Sequence, residues 1–261
     1  MLRGTEIVIP CYNEAARLDR ATFDGFAPTA EAHDIRLLFV DDGSSDNTVE
    51  VLRETCAEFP GRYSWISLER NSGKAEAVRQ GLLVACERAE YVGFWDADLA
   101  TPLDAIPSFL AALARDPAIR WVFGARVALL GRRIHRRASR HYLGRVFATG
   151  VSLALGMPVY DTQCGAKLFR NDADLAEVIS TPFSSRWIFD VEMIARLQTI
   201  LAPEGVRAED LIFELPLLKW TDVAGSKVRG RDFFRAAREL AGIVRQKRRA
   251  RVTRERQVAT G

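Results

Sequence analysis

The chain has 261 residues, 37 basic against 34 acidic, and a formal net charge of +3. That length buries a sizeable core as one large α/β domain, and 48% hydrophobic with 27% charged residues excludes a disordered or fibrous chain. No apolar run reaches the roughly 20 residues of a spanning helix, and no signal peptide precedes the first strand. Four scattered cysteines, Cys11, Cys56, Cys86 and Cys164, lack CxxC or zinc spacing, the pattern of reduced thiols in a cytosolic protein.

Strands and helices alternate through the first half. Strands are expected at Glu6–Ile9, Arg36–Val40, Tyr63–Leu68, Tyr91–Trp95 and Trp121–Gly124. Between them, helices are expected over much of Asn13–Phe26, then Asp46–Glu58, Gly73–Arg88 and Leu103–Arg115. Such alternation implies right-handed crossovers and a mostly parallel sheet flanked by helices. The second half is less regular. Leu130–Gly156 reads as helical, basic in its first half and apolar in its second, with Thr162–Phe169 returning to the sheet. A helix at Phe189–Gln198, a late strand at Leu211–Leu217 and a terminal helix at Asp232–Arg249 follow. The expected division is a main domain over 1–230 and a C-terminal helix with a basic tail over 231–261.

The most informative segment is Phe94-Trp95-Asp96-Ala97-Asp98. Two carboxylates one residue apart share a side of an extended backbone. Hard oxygen ligands so placed, open on the other side, suit Mg²⁺ or Mn²⁺ shared with phosphate oxygens; taken alone, a strand-end pair capping the next helix fits equally. Three further segments put polar groups at strand ends or helix starts: Ile7-Val8-Ile9-Pro10-Cys11-Tyr12-Asn13-Glu14, Val40-Asp41-Asp42-Gly43-Ser44-Ser45-Asp46-Asn47-Thr48 and Asn71-Ser72-Gly73-Lys74-Ala75. In open α/β sheets, ligands bind at the carboxyl ends of strands.

Together these strings resemble the inverting glycosyltransferases of family 2, with the GT-A fold, from Glu6 to about Lys227. Asp161-Thr-Gln-Cys-Gly-Ala-Lys-Leu-Phe169, Arg186-Trp-Ile-Phe-Asp-Val-Glu192 and Gly225-Ser-Lys227 narrow the likeness to the polyprenyl-phosphate sugar transferases, nearest the dolichyl-phosphate β-glucosyltransferases. The resemblance implies transfer of glucose from UDP-glucose to a polyprenyl phosphate. It implies Pro10, Tyr12, Glu14, Val40, Asp42 and Lys74 around the donor nucleotide, with Asp96, Ala97 and Asp98 at the diphosphate. Asp96 and Asp98 would carry the metal, Mg²⁺ or Mn²⁺, and Asp98 would be essential to catalysis. Lys227 would add positive charge over the phosphates when its loop closes. In the polyprenyl mannosyltransferases a glutamine follows the second aspartate by two residues; Ala100 stands here, which points to the glucosyl-type branch.

For the acceptor, Arg126 of Gly124-Ala125-Arg126 and Arg140 are the candidates, because guanidinium forks suit phosphate oxygens. A phosphate monoester is already ionised near neutral pH and needs positioning more than a base. A hydroxyl acceptor would need a carboxylate base, with Asp190 or Glu192 the candidates; the alternative for Asp190 is an ion pair with Arg186 one helical turn away. Gln163 can bond a sugar hydroxyl or be a satisfied buried amide, and Trp187 can stack on a sugar or pack in the core.

Basic runs at Arg132–Arg145 and Arg245–Arg256 admit an anionic membrane surface, nucleic acid or solvent. The first adjoins an apolar stretch, the pattern of an in-plane interfacial helix. Nucleic acid is disfavoured, since no recognition motif is present. The expectation is a protein held peripherally on the cytoplasmic face of a membrane, with a soluble family 2 enzyme acting on a hydroxyl as the alternative.

Overall fold

The computed structural model describes residues 2–135, 138–223 and 230–260, with side chains for 2–135, 144–223 and 235–250. Five strands lead the first half: β1 (Thr5–Cys11), β2 (Ile35–Asp41), β3 (Tyr63–Ser67), β4 (Tyr91–Trp95) and β5 (Trp121–Ala125). Helices α1 (Arg20–Ala32), α2 (Thr48–Glu58), α3 (Lys74–Cys86) and α4 (Ile106–Arg115) connect them. With β7 (Ala166–Arg170) and β8 (Ile212–Pro216) they form a seven-stranded sheet, in the order β3-β2-β1-β4-β7-β5-β8. Every pairing is parallel except those of β7, which runs antiparallel to β4 and β5. The near-continuous apolar strands, such as Leu37-Leu38-Phe39-Val40 at 0% exposure, are those of a sheet covered on both faces.

The layers on either side hold separate cores. One packs α3 and α7 (Phe189–Leu201) on Val8, Val40, Phe94 and Phe169; the other packs Phe23, Phe26, Leu52, Phe109 and Leu113 on Ile7, Phe39 and Trp95. Gly81 in α3 lets that helix sit on the sheet, because a Cβ there would stand 2.4 Å from Val8.

Several expected elements differ. Residues 13–19 are turns, and the helix begins at Arg20. The backbone N–H groups of Asn13, Glu14 and Ala15 are taken by Ser44, Thr48 and Asp46 of the next strand's turn, so a tertiary contact replaces the first helical turns. The basic stretch expected as helix from Leu130 begins as a turn and a short strand, β6 (Arg133–His135), paired in parallel with β9 (Lys219–Thr221). Helix α5 (Ala138–Leu155) starts later, and α6 (Ala173–Ile179) adds a short helix capped by Asp172.

The last helix, α8, spans Gly230–Thr260. Its Ala236 and Ile243 join the core beside α7, and Lys247 donates to the Leu155 carbonyl at 3.0 Å. Among the described residues, no helix is long and apolar enough to cross a membrane.

Candidate active site

The carboxyl ends of β1, β2, β4 and β5 open on the same edge of the sheet, and β7 enters from that edge because it runs the other way. Each places one of the strings singled out in the sequence. Pro10 lies in the last residues of β1 and Tyr12 follows the strand, exposed. Val40 is buried beneath the edge and Asp42 follows β2. Asp96, Ala97 and Asp98 follow β4, Arg126 follows β5, and Gln163 precedes β7. Asp190 lies in the first turn of α7. The Arg140 side chain and Lys227 lie outside the described residues.

The strand-end acids divide by role. Asp41 accepts from Ser44 N–H and, at 2.7 Å, from the Ser67 hydroxyl, while Asp46 accepts from Thr48; these hold the turn. Asp42 reaches across to α3, taking the N–H groups of Ser72 at 2.7 Å and Gly73 at 2.8 Å. A carboxylate at a helix N-terminus meets unpaired donors and a favourable dipole. Burial nonetheless pushes the Asp42 carboxyl above its ordinary value, against the pull of those two bonds. Gly73 has φ +94°, and a Cβ there would meet Arg186 at 2.8 Å, which accounts for glycine before Lys74.

Lys74, at the start of α3, forms an ion pair with Asp96. Burial acts against its charge, but Asp96, Asp190 and Asp98 together raise its pKa. Asp96 in turn sits against the D-T-Q-C-G loop: its N–H donates to the Gly165 carbonyl at 2.8 Å. A Cβ on Gly165 would stand 1.9 Å from the Asp96 carboxylate, so that string needs glycine here. Asp98 accepts from the Ala100 N–H at 3.1 Å; burial, and then the charge of Asp96, push its carboxyl up. Between Asp98 and Ala100, Leu99 adopts φ +51°, a strained conformation for a non-glycine residue that clusters at functional sites.

Arg126 is 13% exposed and forks onto Asp161, with Nε 2.6 Å from Oδ2 and Nη2 2.7 Å from Oδ1. Its guanidinium lies over the Trp220 ring at 5.3 Å. Burial opposes the charge, but Asp161 more than offsets it and raises the pKa. The Asp161 end of the loop is anchored from β8, where Glu214 accepts the N–H groups of Tyr160 and Asp161.

Beneath the loop lies a residue that sequence reading missed. Lys167 is 0% exposed, donates to the carbonyls of Thr162 at 3.0 Å and Cys164 at 2.6 Å, and stands 2.6 Å from Asp190 Oδ1. The expected alternative for Asp190, a pair with Arg186, is replaced by this one; Arg186 donates to Asn71 instead. The available signal was a lysine inside the otherwise apolar strand Ala166-Lys-Leu-Phe169. Glu192 caps the turn before α7, accepting from Ser184 and Ser185 and pairing with Arg196. Cys164 is buried, and burial followed by Asp161 pushes its thiol up to about 11, the setting of an inert structural cysteine rather than a reactive one. Gln163 Nε2 is buried without a hydrogen-bond partner, an orphaned donor at the cluster's floor.

The donor chemistry fits a divalent cation at Asp96 and Asp98. Both are hard oxygen ligands, and Asp98 is destabilised by its like-charged neighbour, a penalty that a cation relieves.

Residues 6–175 match the family described as Glycosyl transferase family 2. The chain belongs to that family. This family 2 glycosyltransferase is 33% identical over 241 residues to the dolichyl-phosphate beta-glucosyltransferase of Saccharomyces cerevisiae, covering 85% of this chain and 68% of that one. It is 31% identical over 236 residues to the protein of that name from Mus musculus, with the same coverage. Among solved structures, it is similar to glucosyl-3-phosphoglycerate synthase from Mycobacterium tuberculosis in complex with Mn²⁺ and UDP-glucose, with TM-score 0.66 and 18% identity over 94% of this chain and 79% of that one. The shared architecture is the GT-A fold.

Proposed function

We propose that this family 2 glycosyltransferase moves glucose from UDP-glucose to a polyprenyl phosphate, with inversion. The dolichyl-phosphate beta-glucosyltransferases that it resembles along 85% of its length supply the substrate class. The observation that carries the phosphate acceptor is that, apart from the pair Asp96 and Asp98 that this reading gives to the metal, the carboxylates on the acceptor side already have partners. Asp161 is held by Arg126 and Asp190 by Lys167, while Glu192 caps the turn before α7. A sugar hydroxyl needs a free base; an ionised phosphate does not.

In this reading Tyr12, Glu14 and Asp42 line the nucleotide with Val40 packed beneath them, and Asp96 and Asp98 hold Mg²⁺ or Mn²⁺. The bound cation would neutralise the charge developing on the departing diphosphate. Lys74 and Lys227 add positive charge on the same leaving group. Gln163 offers its unpartnered amide to a sugar hydroxyl. Arg126 and Arg140 orient the acceptor phosphate, one of whose oxygens bonds the anomeric carbon as the bond to UDP breaks; no proton has to move. The pair with Asp161 takes Nε and Nη2 and fixes the plane of Arg126, leaving its Nη1 preorganised for a phosphate oxygen. The free thiols of Cys11, Cys56, Cys86 and Cys164 accord with a reducing, cytoplasmic-face location.

The test is a donor and acceptor screen: UDP-glucose, UDP-galactose and UDP-N-acetylglucosamine, each with Mn²⁺ or Mg²⁺, with and without a polyprenyl phosphate. The expected result is UDP release that needs UDP-glucose, the metal and the lipid phosphate together. Turnover only with a hydroxyl acceptor would overturn the reading.

A further inference from the structure

The two-stranded sheet of β6 and β9 stands apart from the main sheet yet is tied to the site at two points. Thr221 N–H donates to the Ala100 carbonyl, two residues beyond Asp98, and Trp220 packs against the Arg126 guanidinium. Because β6 and β9 run parallel, the residues entering them meet at one end: Arg133 N–H donates to the Leu218 carbonyl at 2.9 Å. A tight turn precedes β6 there, closed by Arg132 N–H on the Leu129 carbonyl at 3.1 Å.

That end is apolar and uncovered. Leu130 is fully exposed, Leu218 is 65% exposed and Leu129 is 51% exposed. Arg133 and Lys219, register partners in the small sheet, are exposed beside them. Arg132 follows the turn directly, so the described charges beside the leucines are all basic, and the sequence carries no Asp or Glu between Asp116 and Asp161. Leucines at a tip with a basic collar match the acyl boundary and headgroup layer of an anionic membrane. A second copy of this chain would have to meet the same basic collar on itself.

We propose that the Leu129–Leu130 turn, with Leu218 beside it, is the surface that docks this protein on an anionic lipid bilayer and presents the site to a membrane-held acceptor. The inference rests on the polyprenyl phosphate reading and deepens it. Leu130 is four residues from Arg126, at most about 14 Å along an extended chain, and Leu218 is two residues from Trp220, at most about 7 Å. A phosphate lying at Arg126 can thus keep its isoprenyl tail in the bilayer that the leucines enter.

The test uses the full chain and the variant Leu129→Ser/Leu130→Ser, in which neither replaced side chain belongs to the buried core. Sedimentation is read with vesicles of phosphatidylcholine and phosphatidylglycerol at low and high salt, and UDP–Mn²⁺ affinity confirms the folded site. The wild type is expected to bind vesicles more weakly at high salt without losing them, since apolar insertion is not screened. The variant is expected to bind at least tenfold more weakly, to lose binding altogether at high salt, and to keep turnover with a short water-soluble isoprenyl phosphate. Equal vesicle binding by variant and wild type overturns the proposal. So does a wild type that never sediments with vesicles at low salt, or a concentration-dependent dimer that the variant loses, which would assign the tip to a second copy. Vesicle binding lost in the variant while the wild type transfers glucose to no isoprenyl phosphate leaves the surface standing and removes the functional reading instead.

Discussion

The proposed donor side of the site, built on β1 to β4, and the proposed acceptor side, built on β5 to β9, are held together in different ways. On the donor side the polar groups sit at the ends of parallel strands and are oriented largely by backbone N–H groups, in local turns for Asp41 and Asp98 and at the start of α3 for Asp42, with one part-exposed ion pair, Lys74 with Asp96. On the acceptor side the groups are held by ion pairs buried in the fold, Arg126 with Asp161 and Lys167 with Asp190. Placing polar groups at strand ends takes only the fold; placing buried charges takes a partner for each.

The largest effect separates chemistry from fold on the donor side. Asp98→Asn should leave less than a tenth of turnover, a loss above about 1.4 kcal/mol, by removing a carboxylate from the metal. The metal-free variant should melt no lower than the wild type at pH 7, because the asparagine removes a charge that burial and Asp96 disfavour. Activity above a tenth would detach Asp98 from the metal and erase the contrast between the two sides.

The next effect falls on the acceptor side and is one of stability. Lys167→Met leaves the Asp190 carboxylate buried and unpaired, which should cost about 3–5 kcal/mol. Lys167→Met with Asp190→Leu should recover most of that in a denaturant melt, since an apolar pair replaces the ions. If the single variant is as stable as the wild type, the long-range ion pair does not hold this side together.

The difference between the two sides also decides what the sequence disclosed. The strands, the strand-end acids and the D-T-Q-C-G string were legible because periodicity and local turn chemistry create them. Asp42 was read as a ligand for the nucleotide, and its bonds to Ser72 and Gly73 could not be seen, since they join residues about 30 positions apart. Lys167 was passed over because burial of a lysine is decided by its distant carboxylate. The turns at 13–19 were read as helix because their hydrogen-bond partners lie in the next motif. The antiparallel entry of β7, which brings Gly165 against Asp96, likewise depends on pairing that no local pattern announces.

A smaller effect probes the joint between β2 and α3. Asp42→Asn keeps the shape but offers one acceptor oxygen to two backbone donors. Leaving one buried N–H unpaired should cost about 1–3 kcal/mol in a melt and weaken UDP binding. An unchanged melt would reduce the joint to a solvated cap.

The smallest effect is on pH. Asp98 has a carboxyl pKa raised in the fold, so its protonation begins at higher pH than for an ordinary aspartate. UDP–Mn²⁺ affinity should therefore fall as pH is lowered toward that raised value, before exposed carboxylates titrate. Metal-free stability moves the other way: a raised carboxyl pKa contributes stability present at low pH and lost as pH rises through the folded value. A calorimetric pH series on the metal-bound and metal-free protein reads both slopes, and parallel slopes would contradict the assignment.

The division between a donor side and an acceptor side is tested most directly by titrating the wild type, Arg126→Ala and Arg126→Ala/Asp161→Ala with two ligands, UDP–Mn²⁺ and a short isoprenyl phosphate. The double variant leaves no orphaned carboxylate, which separates lost recognition from lost stability. The prediction is that both variants bind the isoprenyl phosphate about 1.5–3 kcal/mol more weakly, the scale of one charge-assisted hydrogen bond, while UDP affinity stays within a factor of about two. An equal loss of UDP affinity would contradict the account and move Arg126 to the donor.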